Sequence, residues 1–309
     1  MMTSESWSPM EANPFPEAVI ADWSFLEHSD SRSHCPKCRK SRKYYCYTCF
    51  IPLPHLAEHL PHIKLPLKVD IIKHPSEIDG KSTAPHAAIL APLDVTIYTY
   101  PCIPDYDPDK VVLVFPCEDS LTLEEISKAS SNSLKKQELT NVNLETTEKV
   151  VCHNSLDSGE NGNVSINLKV SEAKTIHIGS DREEETEQTK GENKLTDAKS
   201  LPFERVVFID STWNQTNNIV TDERLKNLKK IELSSHNTQF WRCQDGIPRT
   251  YLSTIEAIYY FLVDFHRLFI NPEYNHEYDN MLFFFCAMYE KIRSSLNSKS
   301  GKRLKAYER

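Results

Sequence analysis

From Glu118 to Ser200 the chain contains no phenylalanine, tyrosine or tryptophan, although aromatic residues make up 10% of the whole. A stretch this long, rich in Ser, Thr, Asn, Glu and Lys, cannot remove enough apolar surface from water to offset the entropy of ordering its backbone. It is expected to be a disordered acidic insertion between two parts of one domain, with room for a short helix near Leu121 to Ser127. It also holds most of the chain's excess charge. Of 44 acidic and 36 basic residues, 17 and 10 fall within it, which leaves 27 and 26 elsewhere. The overall charge of −8 is therefore no argument against a polyanionic partner for the remainder.

That remainder is apolar enough for a sizeable core, at 39% hydrophobic residues over the 309 of the chain. Short apolar, partly β-branched runs read as buried strands: Val69 to Ile72, Ala88 to Leu90 with Val95 to Tyr98, Val111 to Phe115, Arg205 to Ile209 and, more weakly, Ile231 to Leu233. Thr221 or Asp222 is placed to cap a helix through Lys230. Ser253, with Glu256 three residues on, has the spacing of a capping box and predicts a long helix to about His266. A last helix over Tyr278 to Ser294 would put Leu282, Phe285, Cys286 and Tyr289 on one face. Strands alternating with helices imply an α/β domain with a mainly parallel sheet. No stretch resembles a signal peptide, and the longest apolar run, Ile255 to Phe265, is broken by Glu256 and Asp264, so a soluble, non-membrane protein is expected.

Only Gly80, Gly246 and Gly301 lie outside the insertion, and none belongs to a glycine-rich turn. Neither a dinucleotide fingerprint nor a P-loop exists. Cysteine is more informative. Cys35-Pro-Lys-Cys38 and Cys46-Tyr-Thr-Cys49 are two CxxC pairs seven residues apart, a spacing that suits tetrahedral Zn²⁺, each pair forming a knuckle with two sulfurs. Four sulfurs leave no open position, so this metal would hold structure and do no chemistry; His34 is an alternative fourth ligand. The other five cysteines, Cys102, Cys117, Cys152, Cys243 and Cys286, are scattered.

Around the cluster lie Arg32, Lys37, Arg39, Lys40, Arg42 and Lys43, with Tyr44, Tyr45 and Tyr47, and no acid from Ser31 to Phe50. Such a stretch suits RNA, whose phosphates take the cations and whose unpaired bases take the rings; a solvated basic face over a metal site is an equally good reading. A second basic stretch runs from Lys299 to Arg309.

Directly after the strand at Arg205 to Ile209 comes Asp210-Ser-Thr-Trp213, which puts a carboxylate, hydroxyls and an indole where α/β sheets bind ligands. Asp or Ser there also commonly caps a turn. The tetrad resembles the DxTW signature of the DTW-domain family, and other blocks agree in order. His74-Pro-Ser-Glu77 with Lys81-Ser-Thr83 is similar to the family's HPxE and downstream Thr. Val114-Phe115-Pro116, Phe240-Trp241-Arg242 and Leu252-Ser-Thr-Ile-Glu-Ala257 resemble three further blocks. Cys117 stands where Gly is usual, and the insertion departs from the simpler bacterial pattern.

The resemblance implies a SPOUT-like sheet with a C-terminal trefoil knot, preceded by a small four-cysteine zinc knuckle. The implied layout is an N-terminal tail (1–30), a zinc-binding module (31–62), the DTW domain in two parts (63–117 and 201–296) around the insertion (118–200), and a basic tail (297–309). The implied reaction moves the 3-amino-3-carboxypropyl group of S-adenosylmethionine to N3 of a D-loop uridine in tRNA and releases methylthioadenosine. Asp210, Thr212 and Trp213 are the candidate catalytic residues. Asp210 would act as a base towards N3–H or orient the imide, unless it only fixes a turn; Trp213 would wall the pocket, unless it is core. Thr83, Phe115, Pro116, Leu252, Ser253 and Thr254 are the candidate cofactor-binding residues, and a helix N-terminus at Ser253 and Thr254 would independently attract a carboxylate. His74 and Glu77 fit loop-fixing better than acid/base work. The expected partner is tRNA, with no membrane, as monomer or homodimer, in the nucleus. A zinc-stabilised RNA-binding adaptor without activity and a SPOUT-type methyltransferase are the alternatives.

Overall fold

The structure, a computed structural model, describes residues 13–28, 31–130, 201–233, 235–241 and 248–298. Residues 131–200, which make up most of the expected insertion, the basic stretch Lys299 to Arg309, Arg242, Cys152 and Cys243 lie outside the described residues. Among the described residues no helix is long and apolar enough to cross a membrane.

Two small antiparallel hairpins come first: β1 (Ser33–His34) with β2 (Ser41–Arg42), and β3 (Tyr45–Cys46) with β4 (Ile51–Pro52). The main sheet follows. Its five strands, β5 (Lys68–Lys73), β6 (Val95–Thr99), β7 (Val111–Val114), β8 (Arg205–Asp210) and β9 (Lys229–Ile231), lie in the order β6-β5-β8-β7-β9 and all pair in parallel. Strand β8, from beyond the insertion, sits between β5 and β7 from before it, so the two halves of the sequence build one sheet.

The three central strands, β5, β8 and β7, lack a polar face because both faces are covered. Val69, Ile71, Val112, Val206 and Phe208 enter one cluster with α1 (Ala84–Leu90), α4 (Thr254–Phe265) and α5 (Phe283–Ser298). On the other side Ile72, Val111, Leu113 and Val207 pack with Ile219 of α3 (Trp213–Val220), Leu225 and Leu228. One buried acid interrupts the centre of β5. Asp70 accepts hydrogen bonds from Arg205 Nη1 (2.6 Å) and Tyr106 Oη (2.9 Å). Burial pushes its carboxyl up against the pull of those two partners.

Several sequence expectations need correction. Ala88 to Leu90 form the end of α1 and not a strand. Every residue of this helix is buried, so no polar face marks its period, while Pro85 in its first turn and its alanines favour helix. The helix expected from Thr221 or Asp222 to Lys230 is absent. Asp222 instead binds Arg224 through both carboxylate oxygens (2.8 Å each), which closes a run of turns, and Lys229 and Lys230 already belong to β9. The helix lies earlier, as α3, whose polar Asn and Gln residues hid it. At the other margin, the short helix expected near Leu121 to Ser127 is present as α2 (123–130), but it continues the domain past Glu118: it opens on a capping box in which Thr122 N–H donates to Glu125 (2.8 Å) and Glu125 N–H to Thr122 (3.2 Å).

Helix α5 begins with three consecutive phenylalanines, each fully buried against a different neighbour. Phe283 meets Phe25, Phe284 meets Tyr45 and His86, and Phe285 meets Phe15 and Trp241. The helix start is therefore surrounded, which explains why its apolar stripe is wider than the one face expected. Phe284 also fastens the cysteine module to the sheet domain, beside the Tyr45 Oη to His86 Nε2 hydrogen bond (2.8 Å). Phe284→Ala should lower unfolding free energy by about 3–5 kcal/mol, read as a lower urea midpoint with an unchanged slope; a loss under about 1 kcal/mol would mean that this contact does not hold the module.

Candidate functional site

In a parallel sheet all carboxyl ends open on one edge, and here that edge bears a cavity of about 780 Å³. Each wall is the continuation of a strand or helix. Ser76 to Thr83 follow β5, Val114 to Pro116 follow β7, Asp210 to Thr212 follow β8, Glu232 and Leu233 follow β9, and Thr250 to Thr254 lead into α4. Asp210, Thr212, Trp213, Thr83, Phe115, Pro116, Leu252, Ser253 and Thr254, nominated from sequence, all line it.

Asp210 is the hub of this site. Its Oδ2 accepts from Ser82 Oγ and its Oδ1 from Thr254 Oγ1, both at 2.7 Å, and its backbone oxygen accepts from His74 N–H (3.0 Å). Burial pushes the carboxyl above the usual carboxylate range, while the Thr254 and Ser82 hydroxyls and the Lys73 ammonium pull the other way. Desolvation outweighs those partners. A carboxylate so placed is a stronger base than one in water.

The neighbouring groups are held by the same economy of donors and acceptors. Thr83 Oγ1 accepts from Ile255 N–H (3.2 Å) and so caps α4 from across the chain. The capping box expected at Ser253 is present, but Glu256 does more than complete it. Fully buried, it accepts from Ser253 N–H (2.8 Å), Ser253 Oγ (2.7 Å), Thr238 Oγ1 (2.8 Å) and Gln239 N–H (2.6 Å), which pins the segment before Phe240 to the cavity wall. Thr212 is the N-cap residue of α3 and is exposed. Trp213, half-buried at the first turn, lies between Phe115 (6.2 Å between ring centres) and Tyr251 (4.0 Å), so it is cavity wall and not core.

His74 does not line the cavity. Its ring accepts from Ser76 N–H (3.1 Å) and its carbonyl from Glu77 N–H (3.0 Å), which is the loop-fixing arrangement; Glu77 does reach the cavity. Sequence reasoning missed Ser82, Gln215, Glu232 and Tyr251 as lining residues. Ser82 is the most consequential, and being 128 positions from Asp210 it gave no local signal.

The second site is the cysteine cluster. The sulfurs of Cys35, Cys38, Cys46 and Cys49 all lie within 4.8 Å of one another, with Cys38 and Cys46 at 3.5 Å. Sulfurs about 2.3 Å from a tetrahedral metal stand about 3.8 Å apart, so the donor set fits one ion. The two knuckles repeat one geometry. Arg39 N–H donates to the Cys35 carbonyl (3.0 Å) and Phe50 N–H to that of Cys46 (2.8 Å), with Arg39 (φ 61°) and Phe50 (φ 54°) both in the left-handed region. His34 is exposed and outside the cluster.

A family model for the DTW domain matches residues 43–293. The chain belongs to the DTW domain family. Among curated proteins, the chain is 43% identical over 278 residues to tRNA-uridine aminocarboxypropyltransferase 1 of Xenopus tropicalis, covering 88% of this chain and 83% of that one. It is 41% identical to the proteins of the same name from Mus musculus, over 96% of this chain and 89% of that one, and from Homo sapiens, over 94% and 88%. No solved structure matches the chain. The DTW tetrad is thus the turn from β8 into α3, with the Asp on the strand end, the Thr at the cap and the Trp on the cavity wall.

The raised Asp210 carboxyl has a measurable consequence for folding. A carboxyl whose folded pKa exceeds its unfolded one gives stability that is full below the ordinary range near 4 and lost as pH rises through the folded value. Asp210→Asn removes that loss, so urea denaturation should show the variant gaining on the natural protein between pH 4 and pH 7. A difference that shrinks over that interval would mean that the two hydroxyls and Lys73 outweigh burial.

Proposed function

We propose that this protein is a tRNA-uridine aminocarboxypropyltransferase, with the cavity at the sheet's carboxyl edge as its active site. The observation that carries this reading is the buried Asp210, held at its centre by Ser82 and Thr254 within the DTW tetrad of a chain about 40% identical to relatives of that name. The cavity volume is in the range, roughly 300–1,000 Å³, that houses ligands of cofactor size. Bound S-adenosylmethionine supplies the activated carbon, its sulfonium making methylthioadenosine the leaving group.

The chain's own residues supply position and a proton acceptor. Uridine N3 carries a proton at neutral pH and is a poor nucleophile, so a base at N3–H is the main catalytic need. Asp210 meets it: the Ser82 and Thr254 hydroxyls hold both oxygens in place, and burial raises their basicity. Phe115, Trp213 and Tyr251 give stacking surface for flat rings. Thr83, beside the start of α4, suits a carboxylate, which a helix terminus attracts, while Ser253 and Thr254 line the same wall with their hydroxyls donated to Glu256 and Asp210; Pro116 and Leu252 close the apolar wall. Thr212, capping α3, keeps the tetrad's turn in register. The interleaving of β8 between strands from before the insertion supports a SPOUT-like arrangement with a C-terminal knot. The cysteine module is read as structural Zn²⁺. The basic stretch Lys299 to Arg309 supports a nuclear location.

The test is to incubate the protein with unmodified tRNA and S-adenosylmethionine labelled in its aminocarboxypropyl portion and to identify both products by mass. Modified uridine with methylthioadenosine is expected; a methylated base with S-adenosylhomocysteine would keep the cofactor and overturn the reaction. Asp210→Asn should lower the transfer rate about 10²–10⁴-fold with cofactor affinity retained, whereas weakened folding or cofactor binding would make Asp210 structural. Elemental analysis should find one zinc per chain, and Cys46→Ser should lose it and lower the thermal midpoint; unchanged stability after metal loss would sink the structural role.

A further inference from the structure

Three cations of the cysteine module, Lys37, Arg39 and Lys40, are exposed, and none is paired with an acid among the described residues. Arg39 is the most telling. Both knuckles end on a left-handed residue, where glycine is at ease and a side chain is strained. Phe50 offsets that strain by packing on the core. Arg39, whose N–H closes the first knuckle on Cys35, makes no such core contact among the described residues and leaves its guanidinium exposed.

The module is also joined to the cavity rim. The Tyr47 ring lies under the Arg42 guanidinium (3.9 Å) and faces Gly80, where an added Cβ would stand 3.8 Å from the ring. Thr48 Oγ1 donates to Asp79 Oδ2 (3.3 Å), and Lys73 neutralises the same Asp79. Loop residues Ile78, Lys81, Ser82 and Thr83, flanking this joint, line the cavity. Ile78 is 56% exposed, an apolar side chain left in water at the mouth, with exposed Lys81 beside it. The second knuckle thus packs on the rim, and the first shares its sulfur cluster.

We propose that the cysteine module and the 78–81 rim form one continuous track for an unpaired RNA strand that leads to the cavity, with Lys37, Arg39, Lys40 and Lys81 on phosphates and Ile78 under a base. A strand is favoured over a duplex because an isolated apolar residue beside a cavity suits a splayed base. The inference rests on the transferase reading for the identity of the RNA, but it is measured by binding alone.

The test compares Lys37→Gln/Arg39→Gly/Lys40→Gln, in which glycine also relieves the left-handed backbone, with a control, Lys110→Gln/Lys226→Gln, whose lysines pair with Glu204 and Glu223. Equilibrium tRNA binding without cofactor is measured over a salt series, after metal content and urea midpoint show that the fold is kept. The triple variant should bind at least about tenfold more weakly, with a log–log salt slope shallower by about 2, as three lost single-strand phosphate contacts require, while the control binds as the natural protein does. Equal affinity of the triple variant, or equal loss in the control, overturns the track. Should the triple variant lose its metal, Ile78→Ser, outside the module, must still weaken binding, and unchanged binding there overturns the track as well. Transfer by the natural protein is scored separately. Weakened tRNA binding in a protein that transfers nothing would sink the transferase reading and leave the track; transfer with undiminished binding by the triple variant would do the reverse.

Discussion

Two hydrogen bonds to one carboxylate organise this molecule's working edge. Asp210 ends β8, Ser82 stands in the loop after β5, and Thr254 opens α4, so three of the elements that frame the cavity converge on one buried carboxylate. Burying a carboxylate is expensive unless donors surround it, and here the donors are hydroxyls, which stabilise the charge without cancelling it as a close guanidinium would. Asp70, in the next strand, makes the contrast: it is held by Arg205 and serves the sheet. Among the described residues no guanidinium or ammonium pairs with Asp210, and Lys73, which acts on it from a distance, is engaged with Asp79. The guanidinium ties Asp70 into the sheet, whereas Asp210 is held by hydroxyls at the cavity.

The parallel sheet makes this arrangement possible. Parallel strands bring all their carboxyl ends to one side, so short loops from distant parts of the sequence meet without long excursions. The loop after β5 serves two neighbours. Inward it gives Ser82 to Asp210 and Thr83 to the start of α4; outward it seats Tyr47 and Thr48 of the cysteine module. The cysteine module rests on the outer face of that loop, and Phe284 with the Tyr45–His86 bond ties the module to the sheet domain in turn. A handful of contacts thus joins the sulfur cluster to the loop that carries Ser82.

What the sequence made legible follows from how local each signal is. The strands at Val69, Val111 and Arg205 were plain because burial on both faces makes continuous apolar runs, and the capping box at Ser253 because its two partners are three residues apart. The spacing of the CxxC pairs announced four sulfurs brought together, as they are. The short buried helix at Ala84 was hidden because a helix without a polar face has no period, and α3 because Asn and Gln fill it. The nine cavity residues were found through motif resemblance. Their convergence, and Ser82 in particular, could not be read, since pairs separated by 44 and 128 positions meet only once the strand order is known.

The long acidic segment enters this order in a definite way. It follows α2 and ends just before β8, so it is inserted between β7 and the strand that must slot between β7 and β5. The chain re-enters the sheet at the amino ends of the strands, where Lys110, N-terminal to β7, meets Glu204, N-terminal to β8. The return point is thus on the side of the sheet away from the cavity. Asp210 and the 78–81 rim lie at the opposite, carboxyl edge of the same sheet, so the strand that returns from the insertion carries its first residues at one end of the sheet and its cavity-lining carboxylate at the other.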